Sequence, residues 1–272
     1  MADGESGDLR GDSQDLFGDR GSCLATLDVL ILAGGLGTRI RPVLGDVPKV
    51  LAPIGGRPCL AHLLDLLRRF GAHRIVLGLG HAAQPVVDYL AADPPRDLTV
   101  VTVIEPEPRG TAGAIRFAAA ELRSDPVLVM NGDSFVDADL CALVGRYRQT
   151  ECLGTILCAQ VDDAGRFGQV ALEPDGRIRS FAEKNPAAEG PAFVNAGTYV
   201  LSRALINAIV AGNARSLERD VFERLPARSL TAFAGRFAFI DIGTPESLMR
   251  AAEALDEFTV RTETPSDRPR RA

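Results

Sequence analysis

The chain has 272 residues and a formal net charge of −6, with Lys plus Arg at 30 and Asp plus Glu at 36. That length suits one large or two small domains with a sizeable core. The acidic balance leaves no electrostatic footprint for non-specific nucleic-acid binding, and no apolar run reaches the ~18 residues of a membrane span.

In chain order, residues 1–27 come first, with six acids against two Arg and a recurring Gly-Asp. They read as a disordered acidic tail, unlike a secretory signal, and a cytoplasmic location is expected. Asp28–Ala33 (DVLILA) predicts a buried strand. Pro58–Phe70 predicts a helix, with Leu60, Leu63, Leu64 and Leu67 at helical spacing and Gly71 as its stop. A strand over Arg74–Leu79, a helix over Ala82–Ala91, a strand over Leu98–Ile104, a helix over Thr111–Leu122 and a strand over Pro126–Met130 follow. This alternation implies an α/β fold. Its expected form is a Rossmann-like, mostly parallel mixed sheet with helices on both faces.

After residue 150 the pattern changes. Gly154–Gln160, Gly168–Glu173, Arg177–Glu183 and Phe193–Leu201 read as strands, with Pro174-Asp175-Gly176 as a hairpin turn. Helices are expected over Arg203–Val210 and Leu217–Leu225. Short strands near Leu230–Phe233 and Arg236–Ile240 precede a last helix, Pro245–Leu255. The expected organisation is one domain over 28–256, with a nucleotide-binding half at 28–150 and a smaller α+β half at 151–256. Polar, Pro-rich residues 257–272 read as a second disordered tail.

Five scattered cysteines with no CxxC make a disulfide framework or zinc site unexpected. Three histidines, His62, His73 and His81, lack metal-ligand spacing and read as structural or solvated. Of 30 basic residues only Lys49 and Lys184 are lysines. Lys is a compact point charge where Arg is a wide fork, so these two positions invite attention.

The first strand runs into Ala33-Gly34-Gly35-Leu36-Gly37-Thr38-Arg39. Such a glycine loop lets backbone N–H groups cradle phosphates. The dinucleotide fingerprint fails because Ile40 stands where a third glycine belongs. The Walker A loop fails for want of Gly-Lys-Ser/Thr. Arg39 can hold phosphate oxygens bidentately, and Lys49, set among apolar neighbours, can reach the same anion. Leu32 to Arg39 with Pro42, followed by Pro48-Lys49, resembles the signature of sugar-1-phosphate nucleotidyltransferases. That likeness extends over most of residues 28–256, with Val50 departing from a common Pro. Within the family, Asp46-Val47-Pro48-Lys49, Asn131-Gly132-Asp133-Ser134-Phe135 and Phe239 to Glu246 look most like the guanylyltransferases of heptose 1-phosphate. Mannose-1-phosphate guanylyltransferases are similar but less so.

The resemblance implies that a nucleoside triphosphate and a sugar 1-phosphate are joined to a nucleotide sugar, with release of pyrophosphate. Ala33, Gly34, Gly35, Gly37, Thr38, Gly110 and Thr111 would bind nucleotide. Arg39 would hold the β/γ-phosphates, and Lys49 would stabilise charge at the α-phosphate. Asp133 and Asp241, each at a strand end, would share one Mg²⁺. Gly168, Glu183, Lys184 and Asn195 would bind the sugar phosphate. Glu105 sits where related pyrimidine-reading enzymes carry Gln. A carboxylate only accepts hydrogen bonds, which favours guanine over uracil or thymine. The expected partners are therefore small molecules, with neither nucleic acid nor membrane, and a homo-oligomer is left open. A regulatory homologue without catalysis, an NAD-binding domain, and another sugar-1-phosphate thymidylyl- or uridylyltransferase are the alternatives. The first should have lost Arg39, Lys49, Asp133 or Asp241, and the second lacks its third glycine.

Overall fold

The computed structural model describes residues 22–162, 164, 168–182 and 190–251. Along the first half run β1 (Asp28–Ala33), α1 (Arg41–Leu44), β2 (Pro53–Ile54), β3 (Arg57–Pro58), α2 (Cys59–Arg69), β4 (Arg74–Leu79), α3 (Ala83–Ala92), β5 (Thr99–Ile104), α4 (Gly110–Ala118), β6 (Val127–Asn131), β7 (Ser134–Val136) and α5 (Leu140–Arg148). The second half adds β8 (Gly154–Val161), β9 (Gln169–Leu172), β10 (Ile178–Ala182), β11 (Ala192–Leu201), α6 (Arg203–Ala211), β12 (Leu230–Gly235) and β13 (Phe239–Asp241). A last helix, α7, spans 245–251.

The strand β1 is apolar after Asp28 because both its faces are covered. Val29 and Ile31 point into one core with Leu60, Leu63 and Leu67 of α2 and Val86 of α3. Leu30 points into the other, with Ile115 of α4 and Ile206 of α6. Each such fully buried side chain contributes roughly 1.5–3 kcal/mol by leaving water. β1 pairs in parallel with β4 and β6, and β4 with β5. β11 then joins antiparallel to β6 and also pairs with β8, which carries β12 in parallel. The two halves therefore share one mixed sheet, nine-stranded among the described residues. The expected α/β architecture holds, with helices on both faces.

Helix α2 follows its sequence pattern: Leu60, Leu63, Leu64 and Leu67 are all buried, and Arg68 and Arg69 lie in its last turn. Asp139 caps α5, its carboxylate accepting from Cys141 N at 2.8 Å and Ala142 N at 3.1 Å. Asp28 begins β1 as a buried anion. Its carboxylate accepts from the backbone N–H groups of Arg123 and Ser124, and from the Arg74 guanidinium at 3.0 Å. Burial pushes this carboxyl up, but those three donors outweigh it and hold it below the usual carboxylate range.

Three expectations are corrected. Cys23 and Cys141 form a disulfide with Cα atoms 5.4 Å apart, across a sequence separation of 118. Spacing rules see local motifs, whereas this pair meets only because residues 22–27 pack beside α5. For the same reason residues 22–27 are not tail. Leu24 and Leu27 are buried in the core, and Leu24 N donates to Phe70 O at 3.0 Å. Residues 1–21 and 252–272 lie outside the described residues. The segment expected as a helix over Leu217–Leu225 is instead a π turn, Leu217–Val221, followed by a 3₁₀ turn, Phe222–Arg224. Its start is capped on both sides, Ser216 Oγ accepting from Arg219 N and the Asp220 carboxylate accepting from Arg215 N and Ser216 N at 2.9 Å each.

Candidate active site

β1 and β6 end side by side at the centre of the sheet, with Gly132 N donating to Leu32 O at 2.9 Å, and open α/β folds bind ligands at such carboxyl ends. A cleft of about 290 Å³ opens there. Its wall is the loop after β1, with Ala33, Gly34, Gly35 and Leu36, and its floor is Asn131-Gly132-Asp133. Glu105, Pro108, Arg109, Gly110 and Thr111 close the far side.

Lys49 enters from a 3₁₀ turn, Lys49–Leu51, that the β2–β3 hairpin anchors through Cys59 N donating to Ala52 O at 2.9 Å. Its Nζ lies 2.9 Å from Asp133 Oδ2, and the two side chains are only 17% and 32% exposed. The Lys49 stem is wedged against the glycine loop: its Cγ is 3.3 Å from where a Cβ would stand at Gly37. A compact ammonium fits this slot better than a guanidinium fork.

The small ribbon of β7 and β13 brings the second carboxylate in. Asp241 is registered against Ser134, and Ile242 N donates to Asp133 O at 3.0 Å. Asp133 and Asp241, 108 positions apart, thus become neighbours. Burial raises the Asp241 carboxyl, the Asp133 charge raises it further, and Lys49 and Arg39 oppose this. Asp241 Oδ1 is buried with no hydrogen-bond partner. Two adjacent carboxylates, one with an unsatisfied oxygen, suit an oxygen-seeking divalent cation that takes its remaining ligands from phosphate and water. Among the described residues no group of three or more His, Cys, Asp or Glu is arranged to hold a metal without such help.

On the far side Glu105 is 7% exposed. Its Oε2 accepts from Arg109 N at 3.4 Å, while Oε1 is buried and unpartnered. Burial raises this carboxyl too, against the Arg109 N–H and charge. Arg109 stacks its guanidinium over Phe117 at 5.2 Å, and its Nε is likewise buried without a partner. An unmatched acceptor and an unmatched donor thus share one end of the cleft. Unpaired buried polar atoms are rare in native proteins, and a bound ligand is one way they are completed.

Residues 28–257 match the nucleotidyl transferase family. The chain belongs to that family. Among its relatives, mannose-1-phosphate guanylyltransferase of Mycobacterium tuberculosis is 33% identical over 84% of this chain and 64% of that one. The chain therefore spans just under two thirds of that relative. D-glycero-alpha-D-manno-heptose 1-phosphate guanylyltransferase of Campylobacter jejuni is 30% identical, over 81% of this chain and 96% of its own length. The crystal structure of HddC from Yersinia pseudotuberculosis superposes with a TM-score of 0.75 at 35% identity, covering 84% of this chain and 99% of that one. A second crystal structure of HddC, complexed with GMP-PN, superposes with a TM-score of 0.75 at 34% identity.

Seen as a nucleotidyl transferase, the chain brings most of its expected site residues to one cleft. Ala33, Gly34, Gly35, Lys49, Glu105, Gly110, Thr111 and Asp133 all line it. Gly37 packs on Lys49, and Asp241 sits beside Asp133. Arg39 and Thr38 are exposed at the loop's outer end, with Arg39 close enough to act on the Asp241 charge. Thr111 differs in detail from expectation. Its hydroxyl already accepts from Leu217 N at 2.7 Å and donates to Glu218 Oε2 at 3.3 Å. Asn195 lies on β11 and Gly168 just before β9, next to it in the sheet. Glu183 and Lys184 lie outside the described residues.

Three contributors escaped sequence reasoning. Asn131 lines the cleft floor, Arg109 presents its unmatched donor, and Arg215 locks the loop opposite. Arg215 Nη2 donates to Pro108 O at 3.1 Å, and its carbonyl accepts from Ala112 N at 2.9 Å. Gly110 is required there. Its φ of +75° is left-handed, and a Cβ would come within 2.5 Å of that carbonyl. Only the glycine itself signalled the contact.

Proposed function

We propose that this protein transfers a guanylyl group from GTP to a sugar 1-phosphate, releasing pyrophosphate. The observation that carries the base choice is the buried, unpartnered Glu105 oxygen in the cleft that Arg109 also lines. The guanine edge offers two adjacent donors, N1–H and the 2-amino group, beside the O6 acceptor, which suits a carboxylate next to an N–H donor. A uracil or thymine edge would set carbonyls against the carboxylate. The identities shared with guanylyltransferases of heptose and mannose 1-phosphates support the same base.

The attacking group is a phosphate oxygen, ionised at neutral pH, so no general base is needed. Catalysis then rests on positioning and on stabilising charge. The glycine loop orients the triphosphate through backbone N–H groups. Lys49, held at 2.9 Å from Asp133, places its charge at the α-phosphate. Arg39 screens the leaving pyrophosphate from the loop's outer end. Asp133 and Asp241 would hold Mg²⁺, which when bound supplies further neutralisation of phosphate charge. Asn195, Gly168, Glu183 and Lys184 would receive the sugar phosphate.

Among the described residues no helix is long and apolar enough to cross a membrane. Because both substrates are phosphorylated, the reaction belongs in the cytoplasm, where nucleoside triphosphates are made. The acceptor we favour is D-glycero-D-manno-heptose 1-phosphate, with mannose 1-phosphate second. The test is pyrophosphate release with GTP against heptose, mannose, glucose and N-acetylglucosamine 1-phosphates. Turnover with heptose 1-phosphate well above the rest is expected. Turnover confined to glucose or N-acetylglucosamine 1-phosphate would overturn the sugar assignment.

A further inference from the structure

A chain of hydrogen bonds runs through the interior from β11 to the start of α4. Asn195 Nδ2 donates to the Tyr199 hydroxyl at 2.9 Å, and that hydroxyl donates to Glu218 Oε1 at 3.2 Å. Glu218 Oε2 accepts from Thr111 Oγ1 at 3.3 Å and from Ser216 Oγ at 3.0 Å. Tyr199 is fully buried, and no ion pair reaches Glu218 among the described residues. Its charge is therefore answered by three hydroxyl donors.

Proton directions follow without choice. Asn195 Oδ1 accepts from Gly197 N at 2.9 Å, which fixes the amide so that Nδ2 faces Tyr199. The tyrosine proton is then left for Glu218. Thr111 Oγ1 receives Leu217 N–H, so its own proton also goes to Glu218. One end of this chain is a residue lining the nucleotide cleft. The other end is the amide at a bulge in β11, where Ala196, Gly197 and Thr198 interrupt the pairing with β8. Gly197 has a φ of +75°, and a Cβ there would come within 2.5 Å of Asn131 Nδ2, on the cleft floor.

We infer that Glu218 and Tyr199 are positioning residues that hold the sugar-side amide of Asn195 and the base-side loop at Thr111 as one unit. The inference rests on the proposed reading, in which those two ends serve different substrates. Neither Glu218 nor Tyr199 need touch substrate. Each sets where a group that does so stands. The Asn195 amide, anchored once at each end, keeps one N–H and one carbonyl lone pair for sugar hydroxyls.

Three variants probe the chain at its two ends and its middle, by steady-state kinetics with GTP and the sugar 1-phosphate each varied. Tyr199→Phe leaves Asn195 Nδ2 without its acceptor. KM for the sugar phosphate should rise about ten-fold, in line with one lost buried hydrogen bond, and KM for GTP should move far less. Thr111→Val should give the mirror image, and Thr111→Ser should restore KM for GTP. Glu218→Gln sets an amide donor against hydroxyl donors and should raise both values, with the larger change in KM rather than kcat. Unchanged KM values in all three variants would overturn the inference. So would a loss of kcat alone, matching a loss of folded protein, which is what a purely structural network gives. Should Glu218→Gln not fold, the opposed effects of the two end variants still decide. An inactive wild-type protein would instead overturn the guanylyltransferase reading, and this inference with it.

Discussion

Replacing Glu105 with Gln should weaken the choice of guanine while leaving the fold intact. The side chain is nearly buried, and its Oε2 is held by Arg109 N, so the substituted amide keeps the same position. The carboxylate offers the base one unpartnered acceptor and a negative charge. Hydrogen bonds to a charged group contribute about 1.5–3 kcal/mol each. Loss of the charge at two guanine donors, with one amide NH₂ now facing the base, should remove about 2–3 kcal/mol. That corresponds to a fall of roughly 30- to 150-fold in kcat/KM for GTP. UTP and dTTP should lose nothing and gain an N–H donor for a base carbonyl. The assay is pyrophosphate release with each triphosphate at saturating sugar phosphate. GTP turnover within three-fold of wild type would refute the assignment of Glu105 to the base.

Other outcomes follow from the same geometry. Lys49→Ala and Asp133→Ala should each lower kcat by at least ~100-fold, the effect of losing one transition-state donor or its holder. Lys49→Arg should also be poorly active, because a guanidinium fork cannot place a compact point charge where Lys49 Nζ stands, 2.9 Å from Asp133 Oδ2; full turnover would contradict that role. Cys23→Ser, or addition of reductant, should lower stability by about 3–5 kcal/mol, as expected when a loop of this length loses its crosslink. The two treatments should not add, which a melting curve can check. Asp28→Asn should destabilise at neutral pH by about 1–2 kcal/mol, because the backbone N–H groups of Arg123 and Ser124 lose a charged acceptor while Arg74 keeps Glu121 Oε2 at 2.9 Å. Since the folded carboxyl is held below its unfolded value of 3.8, that stability is present above pH 4 and is lost as pH falls through the folded value. Urea titrations of the two proteins should therefore converge as the pH falls below 3.8, and a constant gap would refute the linkage.

Much of this architecture is written locally. DVLILA, six residues followed by glycines, reads as a strand covered on both faces, and the leucines of α2 recur at the spacing one helical face requires. The glycine loop, Lys49 and Asp133 carry a signature in residue type and order. What was not legible depends on distant partners. The helix α5 is short and holds Gly145, so its one apolar face of Leu140, Leu143, Val144 and Tyr147 after the Asp139 cap gives only a brief signal. The β7–β13 ribbon has strands of three residues, too short for an alternating pattern, yet it sets Asp241 beside Asp133. Cys23 and Cys141 show no spacing signal because the fold, not the sequence interval, brings them together. Glu218 lies in a stretch that reads as an amphipathic helix, where an acid looks like surface. Its three hydroxyl partners come from three separate segments.

The most direct test of the whole account is wild-type pyrophosphate release with GTP, ATP, UTP and dTTP in parallel, with heptose 1-phosphate or mannose 1-phosphate as acceptor and Mg²⁺ present. Release with GTP at least ten-fold above the other three is the result expected from a buried carboxylate at the base. Release with UTP or dTTP but not with GTP would contradict it.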